Sequence, residues 1–590
     1  MLDNKLKPSK NFFDENKYKI YFFISIIFLY LQSDFLFIGG TTWDQIGYIR
    51  GTGKQIEKGL LTIFDRSNPI LDGFDYTEGR GVLLQIPMHL FSRYEAVQNL
   101  FGTLVENNIH INSVNNLEIQ YILRHLFLLI YFVFINYFIF IKLTKLTTPL
   151  YSVLLYLFLC LTPSISGHAL FNNTDIPYAF QFLLVSVFYI DYLDNKKKVF
   201  NKIPREYLIG LLFGFCLVIR INAIVFFGAL SIFHLLYLGR DKILNYDFYV
   251  NQIKIYTTAV FVLYLLSPSM WLRPVKWVQF AILDQFRHPN DVQTVVNGVK
   301  VTASDTGPFY LLIWLYSKLP IFFIISFFIY LFYFFYRRST NIFSSFSLFF
   351  LTYVQIIFML LKPPAYDGIR HYLFLIPFII ALSCDILNIY FDRFNLKNTL
   401  IYIFIFSYLF YTQYGLGPYR YAYFNEFVNE EEISYICEEA LNGCGDWATD
   451  YWGFSGKEMY KLSKKYDDEV IYYCSPGEIY TTYIENKEKS PWRLTNGQPD
   501  FDDEMVWNQD ELIFSRLRFF DMVEKSKGSQ FTIYAMTIHR PGNDNCHFNK
   551  FTKDQMDYRC DLMEAVTRNL RGKTINLNYL YKCDISVKNY

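Results

Sequence analysis

Apolar residues along the chain fall into long runs separated by polar stretches. The first runs from Tyr21 to Ile38. Tyr121 to Ile141, Pro149 to Ile165 and Pro177 to Tyr192 follow, and Tyr207 to Leu238 is of double length. Tyr256 to Met270, Leu319 to Tyr336, Ile342 to Leu361, Tyr372 to Tyr390 and Leu400 to Tyr414 complete the series. A helix needs about 20 residues to cross about 30 Å of hydrocarbon, so these runs read as membrane spans. The first is long and ends without a small-residue cleavage site, so it reads as a retained span rather than a cleaved signal. Val82 to Phe91 is too short to cross and holds Pro87 and His89, which predicts an interfacial helix.

The double-length run sets the topology. As one helix it would extend about 48 Å, far more than one crossing needs. Arg220 and Asn222 lie in its middle, and both flanks are basic: Lys196, Lys197, Lys198, Lys202 and Arg205 before it, Arg240 and Lys242 after it. Cytoplasmic loops carry the Lys/Arg excess. The run is therefore read as a hairpin that crosses twice, with Arg220 at the outer turn, which brings the total to about eleven spans. Lys142 and Lys145, Arg337 and Arg338, and Arg393 and Lys397 fall on the same inner side. This predicts a cytoplasmic N-terminus over 1–19 and a membrane domain over 20–415. It places the loops 39–120 and 271–318, and a soluble domain over 416–590, outside.

Composition fits a membrane protein. Of 590 residues, 52% are hydrophobic and only 18% charged, against about 25% charged in an ordinary soluble domain. The formal charge of +1 gives no sign of nucleic-acid binding. Cys160, Cys216 and Cys384 lie in or near spans, where a buried free thiol is expected. Cys437, Cys444, Cys474, Cys546, Cys560 and Cys583 all lie in the tail. In an oxidising compartment six such residues can form three disulfides, with fifteen possible connectivities. Reduced thiols or a metal site are the alternatives, and Cys437 and Cys444 lack the close spacing of a zinc knuckle.

Ionisable groups near a bilayer are costly and tend to mark function. Here they gather on the outer side in four clusters. Asp44 follows the first span within Thr42-Trp43-Asp44-Gln45, where it could be a general base or a helix N-cap. Asp175 ends Asn172-Asn173-Thr174-Asp175 and precedes Ile176-Pro177; it could cap the next helix, support a divalent cation or position a substrate. Arg370 and His371 follow Asp367-Gly368, a predicted turn, and a guanidinium beside an imidazole can bind phosphate or snorkel to lipid headgroups. The loop from Trp271 to Lys318 carries Arg273, Lys276, Arg287 and His288. In it, Asn297-Gly298 predicts a tight turn between strands Thr294 to Val296 and Val299 to Thr302. Such a loop could act as a lid or as an aromatic belt.

These residues together resemble the GT-C superfamily of membrane glycosyltransferases. The similarity is to dolichyl-phosphate-mannose–protein mannosyltransferase-like and aminoarabinose-transferase-like bacterial proteins. It rests on the acid after the first span, Asn172-Asn173-Thr174-Asp175-Ile176-Pro177, the Arg220 hairpin and Asp367-Gly368-Ile369-Arg370-His371. Pro268 to Pro274, Arg287-His288-Pro289 with Asn297-Gly298, Tyr423-Phe424-Asn425-Glu426 and Asp450-Tyr451-Trp452-Gly453 extend it, so that it covers about 40 to 455.

The resemblance implies a polytopic α-helical enzyme of the bacterial cell membrane. It would move a sugar from a polyprenyl-phosphate donor to an acceptor hydroxyl on the extracytoplasmic face, with inversion. Asp44 would be the general base and Asp175 the second-loop acid. Arg370, His371 and Arg220 would lie near the donor phosphate, with Arg287 and His288 as outer-loop contacts. Many members carry an acidic pair in the first loop; here Asp44 is followed by Gln45, which leaves the partner role and any metal-binding role open. A lipid-linked sugar transporter or flippase, or an oligosaccharide polymerase or ligase, are the competing readings. The acceptor is not specified, and the sequence requires no cofactor.

Overall fold

The computed structural model describes residues 12–42, 45, 82–94, 96–100, 116–194, 199–200, 203–239, 246–271, 274–286, 293–337, 341–390, 396–433, 441, 444–466, 469–474, 478–481, 483, 513–514, 516–541 and 545–589. Helices dominate up to Tyr414, and a mixed α/β unit follows. Five helices are long and apolar enough to cross a membrane: Glu15–Ile38, Glu118–Leu146, Asp175–Leu193, Ile342–Leu361 and Arg370–Tyr390. A sixth arises if the bent pair Pro149–Leu161 and Pro163–Phe171 is counted as one span. The other five predicted crossings fall short of that test. Arg205–Ile219, Ala223–Leu238 and Ile321–Arg337 have 15, 16 and 17 residues. Tyr246–Leu265 and Leu396–Tyr414 are diluted by polar side chains such as Asn251, Gln252, Lys254, Lys397 and Asn398.

The expected straight helix over 149–165 is instead bent by 67° at Thr162. Pro163 supplies no N–H and its ring excludes the preceding residue from helical geometry, so one helix ends and another begins there. The second helix runs on to Phe171, wholly buried, and delivers the Asn172–Asp175 turn. Gly167 on this helix lies against the backbone of Arg420 and Tyr421, where no Cβ would fit.

The double-length run does turn back on itself. Its helices break at Arg220-Ile221-Asn222, and Phe213 stacks on Phe227 at 3.8 Å, each seven residues from Arg220. Tyr246–Leu265 lies parallel to the first arm, with Gly210 against the Ile255 carbonyl and Gly214 against that of Ala259. This small-xxx-small stripe brings two backbones together, with Thr258 packed against Gly210. Val82–Arg93, the predicted interfacial helix, buries Gln85, Met88, His89 and Ser92 against the bundle and leaves Leu90 exposed.

Beyond the last long helix, a five-stranded sheet has the order Ile513–Phe514, Ile471–Tyr473, Gln530–Ile538, Lys573–Val587, Met556–Leu570. The first three strands are parallel and the last two pair antiparallel. The final hairpin closes on Arg571 and Gly572, both at positive φ as a two-residue turn requires. A disulfide joins Cys560 to Cys583 across adjacent strands, and another joins Cys474, directly after the Ile471–Tyr473 strand, to Cys546. Cys444 is also disulfide-bonded, whereas Cys160, Cys216 and Cys384 are free and buried. Cys437 lies outside the described residues. The hairpin predicted at Asn297-Gly298 is present, with Gln293–Val296 paired to Val299–Thr302. One apolar core runs continuously from the long helices into the tail, through Trp452, Phe454, Met459 and Leu577.

Candidate functional site

The site forms where three chain breaks meet at one end of the bundle. The Pro163–Phe171 helix stops at Asn172, whose side-chain Oδ1 accepts the N–H groups of Thr174 at 3.2 Å and Asp175 at 2.8 Å. That bond turns the chain into the next helix. Asn172 therefore does the capping that the sequence left open for Asp175, and the Asp175 carboxylate turns elsewhere.

Its partners come from the other two breaks. Arg220, extended at the hairpin turn, pairs directly with Asp175 Oδ1. Arg370, at the start of the turn Arg370–Leu375, lies with Nε 3.8 Å from Asp175 Oδ2. His371 Nδ1 lies 4.0 Å from Asp175 Oδ1 and 3.4 Å from an Arg220 nitrogen. Asn172 Nδ2 donates to Asp175 Oδ2 at 3.1 Å. Asp175 is only 2% exposed, so both its oxygens are engaged and neither faces open water.

A second carboxylate extends the array. Asp367 Oδ2 accepts from Arg370 Nη1 at 3.1 Å, and Asp367 Oδ1 accepts from Arg540 Nη2 at 2.9 Å. Asp367 and Gly368 both have positive φ, so the predicted turn is real, and it also points an acid into the cluster. Arg370 is stacked 4.3 Å above the Trp452 ring. Among the described residues, three guanidiniums thus share two carboxylates, a surplus of one positive charge before His371 is counted. Asp175 and Arg370 also open two membrane-length helices, whose N-terminal ends add partial positive charge.

The tail holds this array from above. Asp450 is fully buried and accepts from Tyr421 Oη at 2.5 Å, Phe454 N at 3.0 Å, Ser455 N at 3.1 Å and the Ser455 hydroxyl. Burial pushes the Asp450 carboxyl above its ordinary range, and these donors oppose that shift. The turn so fixed carries Tyr451 and Trp452. Tyr451 Oη lies 3.1 Å from His168 Nε2, whose other ring nitrogen is 3.3 Å from Asn172 Nδ2. A recess opens beside Asp367 and Arg540, walled by Trp314, Tyr451 and the Thr294–Val295 strand.

Of the residues singled out in the sequence, Asp175, Arg220, Arg370 and His371 meet in this cluster. Asp44, Arg287 and His288 lie outside the described residues. The neighbour of Asp44, Gln45, is 1% exposed and donates to the Phe171 carbonyl at 2.9 Å. The first loop is thereby tied to the turn that carries Asp175. Sequence reasoning missed Asp367 as a side chain, together with Arg540. A buried pair one layer deeper was missed as well: Arg124 donates to Gln85 at 2.5 Å, and Gln85 meets Asn173. Arg124, inside an otherwise apolar run, was the available signal. No group of three or more metal-ligating side chains occurs among the described residues. No protein-family model matches the chain, and no curated protein matches it in sequence.

Proposed function

We propose that the chain is a multi-pass membrane glycosyltransferase of the GT-C type. It transfers a sugar from a polyprenyl-phosphate donor to an acceptor hydroxyl at the outer face. The observation that carries this reading is the net-positive cluster of Arg220, Arg370, Arg540 and His371 around Asp175 and Asp367, at the start of two membrane-length helices. A polyprenyl phosphate must keep its tail in hydrocarbon while its sugar meets water, and a site at the ends of spans suits both demands. As the glycosidic bond breaks, the phosphate gains charge. Fixed guanidiniums aimed at that charge lower the barrier, and one such donor is worth about 3–4 kcal/mol in comparable oxyanion sites.

Asp175 is a positioning residue in this scheme, because its oxygens are spent on Arg220, Arg370 and Asn172. The base that takes the acceptor proton is Asp44, whose sequence neighbour Gln45 donates to the Phe171 carbonyl. The topology comprises about eleven crossings with the N-terminus inside. The disulfides Cys474–Cys546 and Cys560–Cys583, set against free thiols in the helices, support an extracytoplasmic tail. Contacts of the tail residues Trp452 and Arg540 with Arg370 and Asp367 support a cluster on that same side.

The test is mass analysis of lipids and glycans from cells carrying the wild type or Asp44→Asn at equal expression. A hexose- or pentose-sized increment present with the wild type and absent with the variant is expected. Identical profiles would reject the reading.

A further inference from the structure

Arg420 is a physical anomaly away from the cluster. It lies in the turn Gly417–Ala422, directly after the Leu396–Tyr414 helix, and is only 8% exposed. Its guanidinium lies 4.9 Å above the Phe35 ring. Among the described residues no carboxylate comes within ion-pairing distance, and its buried Nε has no hydrogen-bond partner. Burial alone pulls its pKa down, to about 10, so it remains a cation at neutral pH. Removing an ion from water without a counter-charge costs several kcal/mol, and native folds rarely tolerate it. The next residue, Tyr421, faces His168 and Asp450, so the two side chains serve different places.

What surrounds Arg420 indicates the missing anion. The Phe12–Ser33 and Leu396–Tyr414 helices both pack on Pro149–Leu161. Their outward faces are apolar: Phe23, Ile26 and Tyr30 on one, Phe404, Tyr411 and Tyr414 on the other. Tyr30 and Tyr414, each 76% exposed, stand near the ends of these helices, as interfacial aromatics do. Phe35 lies two residues past Ser33 and Arg420 six residues past Tyr414, so both stand at the same ends of these helices as Tyr30 and Tyr414.

We propose that Arg420 binds the phosphate of an anionic membrane phospholipid, whose acyl chains lie along the lipid-facing surfaces of the Phe12–Ser33 and Leu396–Tyr414 helices. A guanidinium offers a fork of donors matched to phosphate oxygens, and Phe35 fixes its plane. The bound lipid supplies the counter-charge the protein lacks and pins the tail's first turn to the bilayer. This site does not depend on the transferase reading.

The full chain is purified in a zwitterionic detergent, and its Tm is read with added phosphatidylglycerol, phosphatidylcholine or inorganic phosphate. Phosphatidylglycerol is expected to raise the wild-type Tm by roughly 3 °C, the other two by less than a third of that, and Arg420→Gln to abolish the response. A full response to phosphatidylcholine or to inorganic phosphate would overturn the proposal, as would an equal response in Arg420→Gln. Should Arg420→Gln not fold, Arg420→Lys keeps the charge but loses the fork. It is expected to retain about half as much phosphatidylglycerol through gel filtration as the wild type, and equal retention would overturn the assignment.

Discussion

The helix Asp175–Asp194 has an ionic cluster at each end, and the two differ in kind. At one end Asp175 draws Arg220, Arg370 and His371. At the other, sixteen residues or about 24 Å further along, Asp191 accepts from Lys142 at 2.9 Å and from Arg205. There Glu206 is close by, bonded to the Tyr192 hydroxyl at 3.0 Å, so among the described residues two acids meet two bases. Lys142 also lies 4.6 Å from the Phe188 ring, within one packed layer. The Asp191 end holds helices in register. The Asp175 end carries surplus charge and is bordered by a recess and by side chains from the tail. Equal burial thus conceals two purposes, and the charge balance separates them.

Mutation should separate them too. Asp191→Ala would leave Lys142 and Arg205 buried without their acid, a loss of about 3–5 kcal/mol in thermal unfolding. Transfer per folded molecule should stay at the wild-type level; a selective loss of transfer would erase the distinction between the ends. Arg370→Ala should do the reverse. Turnover per folded molecule should fall about 10²–10³-fold, chiefly in dependence on donor. An unchanged donor dependence would remove the phosphate role.

The tail contributes a pH limit. His539 is buried between the Tyr579 hydroxyl, at 2.5 Å, and the Ile433 carbonyl, and burial lowers its pKa to about 4. Its unfolded pKa is about 6.5, so between these values the unfolded chain binds the extra proton. Stability is therefore complete above about pH 6.5 and declines toward pH 4, by on the order of 3 kcal/mol. His539→Gln should flatten that part of the stability profile, and an unaltered slope would assign it to other groups.

The smallest effects concern the turns. Thr148 accepts the Tyr151 N–H at 3.2 Å near the Asp191 end of the bundle, and Thr148→Ala should cost about 1 kcal/mol with turnover unchanged. Asn172→Ala should cost a similar amount of stability. It should also lower turnover, because Asn172 holds both the turn and the Asp175 carboxylate. Equal turnover in the two variants would make Asn172 a cap only.

Much of this organisation was legible before any coordinates. Asp175, Arg220, Arg370 and His371 stand out because each interrupts or borders an apolar run, where ionisation is expensive. Asn297-Gly298 was legible because its backbone demand is local. The remainder depended on distant contacts. Arg540 looks like an ordinary residue of a soluble tail until the fold returns it to Asp367, and Trp452, quoted only as part of a motif, gives no sign in sequence that it lies under Arg370. Lys142 and Arg205 read in sequence as inner-side basic residues, and their pairing with Asp191 appears only in the fold. Pro163 was visible but was absorbed into a run whose hydropathy ignores backbone geometry. The final hairpin turns on Arg571-Gly572, a weaker turn signal than Asn-Gly, and no strand was expected there.

Arg370 rests on Trp452, and Asp367 on Arg540, both supplied after the last long helix. A ribosome reaches those two positions only when most of the polypeptide is already in place. Until then the guanidinium of Arg370 lacks its aromatic support and Asp367 lacks one of its two basic neighbours. Biogenesis thereby carries its own timer: a nascent or prematurely ended chain can insert its helices without ever assembling the complete cation array.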